Sequence, residues 1–512
     1  MILGNNLGDT QRDTATDGTT LDDLFRRAGV RRPEARALID PSNRESFTDG
    51  APRSLSYAQA DRAISGFAAY LRRLGLATDT VVALQLPNTV EGVIALLGVL
   101  RARLIAAPLP LLWRKQEMVD ALGRIGAKAL VTAARIGDSA HAELAMQVAA
   151  ELFPIRYVCA FGRDLPDGVV PLDEIFVPDH VDVVQPPARP GSAAAHVAAV
   201  TFDIGVDGLV AVARNHMELV AGGLAPYLES GAARDAAILS AIPPGSFAGI
   251  ALTVMPWLLS GGTLALHHGF DPNIFTEQCR QQNSGTIVLP GPALAAIAAA
   301  GCLGEESKSI VALWRSPERL AAGAPWRGKA ALVDIASFGE IGLLAARRGL
   351  DGMPAPIRCG LIEAPRGAAG AVSVAETMRT GAGTLALRGS MVPVHAFPPG
   401  AEHGPEPHLA ADAAGFVESG FGCRIERDSQ TLAVTGPRGG ITSIGGYRFR
   451  TRDLDAQVAS ADPAATIVAL PDALLGQRLA GATPDRAATA ALLLANGANP
   501  LIAGAFRPRI AA

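Results

Sequence analysis

The sequence predicts an α/β protein: a large N-terminal region of two doubly wound α/β subdomains plus a small β-subdomain, followed by a short α+β C-terminal domain. Three observations carry this prediction. From Ser54 to about Thr132, apolar runs of strand length alternate with amphipathic helical stretches. After the Pro-rich stretch Gln185–His196, a pattern of apolar strand followed by turn begins again. Beyond about Met353, helical periodicity fades into short strand-like runs broken by Gly and Pro. At 512 residues the chain also exceeds what one hydrophobic core organises.

The opening "MILGNNLGDTQRDTATDGTT" is polar and acidic without a basic-then-apolar signal, so residues 1–20 are expected to form a flexible leader. In "SYAQADRAISGFAAYLRRLG", Ala60, Ile64, Phe67 and Leu71 follow helical spacing, Ser56 with Gln59 forms a capping box, and Gly75 supplies a stop. "VVALQL" is a buried strand ended by Pro87, and Asn88 with Glu91 is expected to cap the helix through "VEGVIALLGVLRA". "IAAPL", a helix near Gln116–Ile125 and "KALVT" continue the alternation, the order of a parallel sheet. "AILSAIPPGSFAG", "TLALHHGF" and "GTIVLPGPA" repeat it, while "AVSVAE", "TLALRG" and "TLAVTG" read as the β-subdomain. The Gly-rich stretch Gly436–Gly446 marks a hinge. The expected N-terminal domain is 21–435, with subdomains at about 21–184, 196–353 and 354–435, and the small C-terminal domain is 436–512.

Composition excludes several classes. Hydrophobic residues make up 49% and charged ones 18%, with mean hydropathy +0.24, so bulk disorder has no support. A net charge of −4 with no Lys/Arg cluster removes the electrostatic footprint of a nucleic-acid binder. The apolar stretch "VIALLGVLRARLIAAPLPLLW" is interrupted by Arg101, Arg103, Pro108 and Pro110, so no membrane span is expected. Five scattered cysteines without a C-x-x-C pair argue against disulfides or zinc, and nine histidines show no metal-ligand spacing, so no metal site is predicted. His267–His268 reads as a strand-end pair. A cytoplasmic location is the expectation.

Mid-chain, "TFDIGVDGLVAVARNHMEL" has apolar flanks around Asp207–Gly208, the dipeptide of a type I′ hairpin, and Asn215 with Glu218 caps a following helix. Together with "LSYAQADRAISGFAAYLRRLGLATDTVVALQLPNTVEGVIALLGVLRARLIAAPLPL", "PPGSFAGIALTVMPWLLSGGTLAL", "TIVLPGPA", "SFGEIG", "GFVESGF" and "GGYRFRTRDLD", it falls in the order of a known family. From roughly Leu21 to Pro471 the chain resembles the adenylate-forming family of AMP-forming acyl- and aryl-CoA ligases, which includes luciferases and peptide-synthetase adenylation domains. The resemblance implies ATP and Mg²⁺ bound in a cleft between a large and a small domain, a carboxylic-acid or acyl-type substrate, and CoA as acceptor if the protein is active.

The same resemblance implies where nucleotide contacts fall. Gly205, Asp207 and Gly208 stand in the family's phosphate loop, whose hydroxyls are here Ile204, Val206 and Asp207 and whose Lys position falls near Ala211. A carboxylate at Asp207 would repel phosphates at short range. Phe338 and Gly339 match the pair flanking adenine, with Glu340 beside them, while Ile341 and Gly342 occupy the family's Thr and metal-placing Glu. Ser419, Gly420 and Phe421 replace the Thr-Gly-Asp whose Asp holds the ribose, and a phenyl ring cannot accept hydrogen bonds from a diol. Gly436, Pro437 and Gly440 fall at the Gly-Arg and hinge-Asp positions, with Arg438 as a neighbouring arginine. Gly445 and Gly446 lie near the implied thiol channel. Lys329 is the last lysine, so the family's C-terminal Lys has only Arg507 or Arg509 as substitutes. Ser246 stands where many relatives gate the acyl pocket, and His216 opens the helix after the loop.

Three readings follow. The chain is a divergent acid-activating ligase; or a non-catalytic relative, a pseudoenzyme that binds an acyl- or CoA-type ligand or a partner protein; or an acyl transferase working without adenylation. Losses at phosphate, ribose, metal and lysine positions together argue against ordinary adenylation and CoA ligation, which rely on those contacts jointly.

Overall fold

The computed structural model describes residues 18–177, 189–282, 285–304, 307–365, 371–426 and 429–507. The expected leader and the Gln185–His196 linker lie partly outside these ranges. Two parallel-centred sheets form the body. One runs, in spatial order, Leu209–Asn215, Val197–Ile204, Ile105–Pro108, Val81–Gln85, Ala129–Ala133, Tyr157–Phe161 and Val170–Pro171. It is parallel except at the hairpin formed by its first two strands. The other runs Gly342–Arg347, Ala331–Phe338, Ser309–Trp314, Thr286–Pro290, Ala237–Ser240, Thr263–Leu266, Arg36–Ile39 and Ser54–Ser56, antiparallel only at its two ends. The sheets exchange strands across the expected subdomain boundary: residues 36–56 join the second sheet, and the 197–215 hairpin completes the first.

Helices Tyr57–Arg73 and Val90–Arg101 lie together in the core that joins the sheets. The first begins at a reciprocal cap, Gln59 N to Ser56 Oγ at 3.2 Å and Ser56 N to Gln59 Oε1 at 2.8 Å. It crosses the second where Gly98 faces Phe67; a Cβ there would stand 2.6 Å from the ring. The predicted Asn88/Glu91 cap does not form. Thr89 is the N-cap and makes no side-chain cap bond. Asn88 instead donates to the carbonyls of Ser240 (2.9 Å) and His267 (3.0 Å) in the other sheet. Glu91 pairs with Arg44 and Arg53, each at 2.7 Å. Residues Val90–Leu100 are buried throughout, so polar groups at this helix start are claimed by the surrounding elements.

Residues 357–437 form a six-stranded sheet with antiparallel pairings. The chain then builds the hairpin Ile441–Ile444/Tyr447–Arg450, helix Thr451–Ala461, the two-stranded ribbon Thr466–Asp472/Gly476–Ala482 and helices Arg486–Ala495 and Pro500–Gly504. These share a separate core that includes Ile444, Leu454, Val458, Leu479, Leu493 and Phe506. No helix among the described residues is long and apolar enough to cross a membrane.

Candidate functional site

The loop from Thr201 to Leu209 is a two-residue hairpin turn. Strands Val197–Ile204 and Leu209–Asn215 pair up to Ile204 opposite Leu209, and Gly205 and Gly208 close the turn with reciprocal bonds of 2.9 and 3.2 Å. The predicted type I′ turn at Asp207–Gly208 is corrected. The central residues are Val206 and Asp207, neither of which has positive φ, and Gly208 (φ +146°) is the flanking partner. The two glycines bracket the turn, so the register set by the strands overrides the dipeptide preference. Asp207 is exposed, and its carbonyl accepts from Arg450 Nη1 at 2.9 Å. The helix after the hairpin starts at the predicted cap, Glu218 N to Asn215 Oδ1 at 2.9 Å.

The hub of the cleft is Asp203, a residue the motif reading passed over. Its Oδ1 accepts from Arg448 Nη1 (2.7 Å) and Ile204 N (2.8 Å), and its Oδ2 accepts from Glu340 N (2.9 Å). The Asp203 and Arg448 side chains are 11% and 9% exposed. Gly339 (φ +57°) makes this approach possible, since a Cβ there would stand 2.0 Å from Asp203 Oδ2. Arg448 lies over the Phe421 ring at 4.5 Å, and Phe421 meets Phe338 edge-to-face at 5.6 Å. Both rings are fully buried. Phe338 is therefore packed against Phe421, and the face implied for adenine is turned to protein.

Glu340 is held from several sides. Its Oε2 accepts from Phe247 N at 2.7 Å, and its carbonyl accepts from Arg214. Burial pushes the Glu340 carboxyl above its usual range. Arg214 is 1% exposed, stacks over the Phe247 ring at 3.7 Å, and also donates to the carbonyls of Ile341 (2.9 Å) and Met391 (3.3 Å). Burial brings its pKa down to about 10. Nothing in the motifs signals this arginine except its place in a half-apolar strand. Ser246 caps the short helix Phe247–Gly249, accepting from Gly249 N (3.1 Å), and accepts also from Arg315 Nη2 (3.0 Å).

Gly445 (φ +56°) and Gly446 (φ +95°) form the turn between Ile444 and Tyr447, with the two positive φ values of a type I′ hairpin. A Cβ on Gly446 would stand 2.1 Å from Arg315 Cδ, so this turn sits directly on the body. From the same strand, Tyr447 Oη accepts from Leu112 N at 3.3 Å. Further along, Gln457 reaches Gln116 (2.9 Å) and Asn499 reaches Glu117 (3.0 Å). The other sequence candidates fall elsewhere. His216 turns from the loop, accepts from Leu21 N at 3.3 Å and is buried, which lowers its pKa to about 4. His267 bonds Gln278 Oε1 at 2.7 Å. Arg438 meets Glu418 at the surface (3.5 Å), Arg507 is exposed, and Arg509 lies outside the described residues.

Whether MgATP fits can be tested on the donor set. A phosphate cradle needs free amides, hydroxyls and cations. Here Gly205 and Gly208 amides close their own turn, and Thr201 Oγ1 lies 3.5 Å from the Val212 carbonyl. The carboxylates nearest the turn are committed to Arg448 and Phe247 N, and Phe421 fills the implied ribose position. These residues do not fit the group. Among the described residues no cluster of three His, Cys, Asp or Glu side chains suits a metal ion.

Comparison with known proteins agrees with the architecture. A family model described as "AMP-binding enzyme" matches residues 25–331. Long-chain fatty acid transport protein 1 of Bos taurus is 28% identical over 278 residues, 53% of this chain and 41% of that protein. The salicyl-AMP ligase / salicyl-S-ArCP synthetase of Mycobacterium tuberculosis is 29% identical over 181 residues, 35% of this chain and 30% of its own. The chain thus spans under half the length of these curated relatives. Among solved structures, apo MbtA of Mycobacterium smegmatis superposes with TM-score 0.64 at 22% identity, covering 94% of this chain and 90% of that one. Amide bond synthetase McbA of Marinactinospora thermotolerans gives TM-score 0.68 at 17% identity, with 94% of each chain covered. At such identities the structures speak for the fold. With the family model matched over more than half its length, this chain belongs to the AMP-binding enzyme family.

Proposed function

We propose that this chain is a non-adenylating member of its family, a protein that uses the ligase fold for binding and does not activate acids with ATP. The observation that carries the reading is the Asp203–Arg448 ion pair at 2.7 Å, which places the protein's own charges and the Phe421 ring where phosphate and ribose contacts are implied. Family substrates are carboxylic acids, so the ligand class is an acyl- or CoA-type small molecule, with a partner protein as the second form of the same role. The second form has its own support. Val468 (55% exposed), Leu470 (37%) and Leu474 (54%) present apolar surface on and beside a two-stranded ribbon.

The test is acid-dependent pyrophosphate exchange across a panel of aryl and acyl acids, together with calorimetry for ATP and AMP with and without Mg²⁺. The expected result is no exchange and no nucleotide binding to millimolar concentration by folded protein. One acid that supports exchange overturns the proposal and restores the ligase reading.

A further inference from the structure

At the other end of the first sheet lies a cavity of about 370 Å³, lined by residues that include Arg72, Arg101, Arg103, Arg189, Asp22 and His216. Arg103 immediately precedes the strand Ile105–Pro108, and Asp79 precedes Val81–Gln85. The cavity therefore opens at the amino ends of these strands, opposite the carboxyl ends where open α/β sheets place their usual ligand site.

Its charges are unevenly matched. Arg101 is neutralised by Asp22 (2.7 Å) and Asp61 (2.8 Å), and Asp22 also holds Arg26 at 2.9 Å. Asp23 is occupied as a cap partner of Thr20, and His216 is neutral at physiological pH. Arg72, Arg103 and Arg189 remain, close enough that the first two depress the proton affinity of the third. The carboxylate recorded against Arg189 is Asp79 at 2.5 Å, itself 44% exposed. Arg72 spends Nη1 on the carbonyls of Leu76 and Ala102, both at 3.3 Å. The Arg189 side chain is 7% exposed, yet its Nε is buried without a hydrogen-bond partner. An orphaned guanidinium N–H costs free energy, and like charges gathered in a recess cost more. A multiply charged oxyanion relieves both, because guanidinium groups match phosphate oxygens in forked geometry.

We propose that this cavity is a binding site for a phosphate-bearing small molecule, held by Arg72, Arg103 and Arg189 and separate from the family's cleft. The volume suits a ligand from pyrophosphate to a mononucleotide in size. The proposal is independent of whether the cleft catalyses adenylation.

The experiment is calorimetric titration of the full chain with inorganic pyrophosphate at low and moderate salt. Wild type, Arg72→Gln, Arg189→Gln and, as a cleft control, Asp203→Asn are compared. One charge-assisted hydrogen bond is worth about tenfold or more in affinity. The expected result is saturable, salt-sensitive binding that each arginine variant weakens by about tenfold or more and Asp203→Asn leaves within about twofold. If Arg189→Gln does not fold, Arg72→Gln decides. Titration with inorganic phosphate and with AMP then separates a lone phosphate site from one that also holds an attached group. Absence of binding by wild type, binding unchanged in the arginine variants, or binding abolished only by Asp203→Asn would overturn the proposal.

Discussion

Replacing Arg448 by Met keeps the aliphatic length of the side chain and removes the charge that closes the cleft. The two partners are 9% and 11% exposed, so the change leaves Asp203 as a carboxylate with little solvent. Breaking a buried pair from one side costs about 3–5 kcal/mol. Asp203 keeps the amides of Ile204 and Glu340, which places the expected loss at the lower end, about 3 kcal/mol, or roughly 150-fold in an opening equilibrium. Native-state hydrogen exchange, read by mass in peptides covering Val197–Ile204 and Tyr447–Arg450, reports that opening locally, without assuming that a multidomain chain unfolds in one step. Exchange in both strands is expected to rise by about two orders of magnitude. The double variant Asp203→Asn/Arg448→Met removes the orphaned charge and is expected to exchange at least about tenfold more slowly than Arg448→Met alone. An increase below threefold in the single variant, or simple multiplication of the two single effects in the double, would refute the view that this pair latches the cleft.

Other outcomes follow from the same geometry. Burial lowers His216 to about 4, below its unfolded value of about 6.5, so folding favours the neutral ring. Its contribution is complete above pH 6.5 and is lost as pH falls towards 4, by about 3 kcal/mol at most. Urea unfolding across pH 4–7 should show a shallower acid decline in His216→Gln than in wild type. Asp40, raised to about 6 by burial, acts in the opposite direction in both proteins and cancels in the comparison. Gly339→Ala combines a left-handed backbone, about 1–2 kcal/mol, with a Cβ placed 2.0 Å from Asp203 Oδ2. Thermal unfolding should shift down by several degrees, and an unchanged Tm would contradict the packing described. Glu340→Ala leaves the Phe247 amide without its acceptor, at about 1–3 kcal/mol, whereas Glu340→Gln retains an acceptor and discards a buried charge. The ranking expected in denaturant is Ala well below Gln, and the reverse order would exclude the Phe247 bond as the role of this side chain.

The family's fold is legible because its signals are local and redundant. The capping boxes at Ser56/Gln59 and Asn215/Glu218 form as their spacing predicts, since each partner lies within one helical turn of the other. The apolar runs Val81–Gln85 and Ala129–Ala133 are fully buried parallel strands. The Asn88/Glu91 pattern misleads because both side chains are claimed by partners far along the chain, Asn88 by Ser240 and His267, Glu91 by Arg44 and Arg53. Asp207–Gly208 misleads because strand register moves the turn by one residue.

The sequence by itself determined that this chain builds two strand-and-helix sheets, a β-subdomain and a small C-terminal unit, and that the residues implied for phosphate, ribose and metal contacts are altered. Hydrophobic periodicity and motif order are properties of neighbouring residues, so they can be read along one line. Only the tertiary structure decided what replaces those contacts. Asp203 and Arg448 are separated by 245 positions and meet at 2.7 Å. Arg214 stacks on Phe247, Phe421 covers Phe338, and three arginines from distant segments converge on one cavity. The physical reason is that a charge pair or ring contact depends on distance in space, which strand order and chain reversal set, while sequence spacing constrains only what lies within a turn or two.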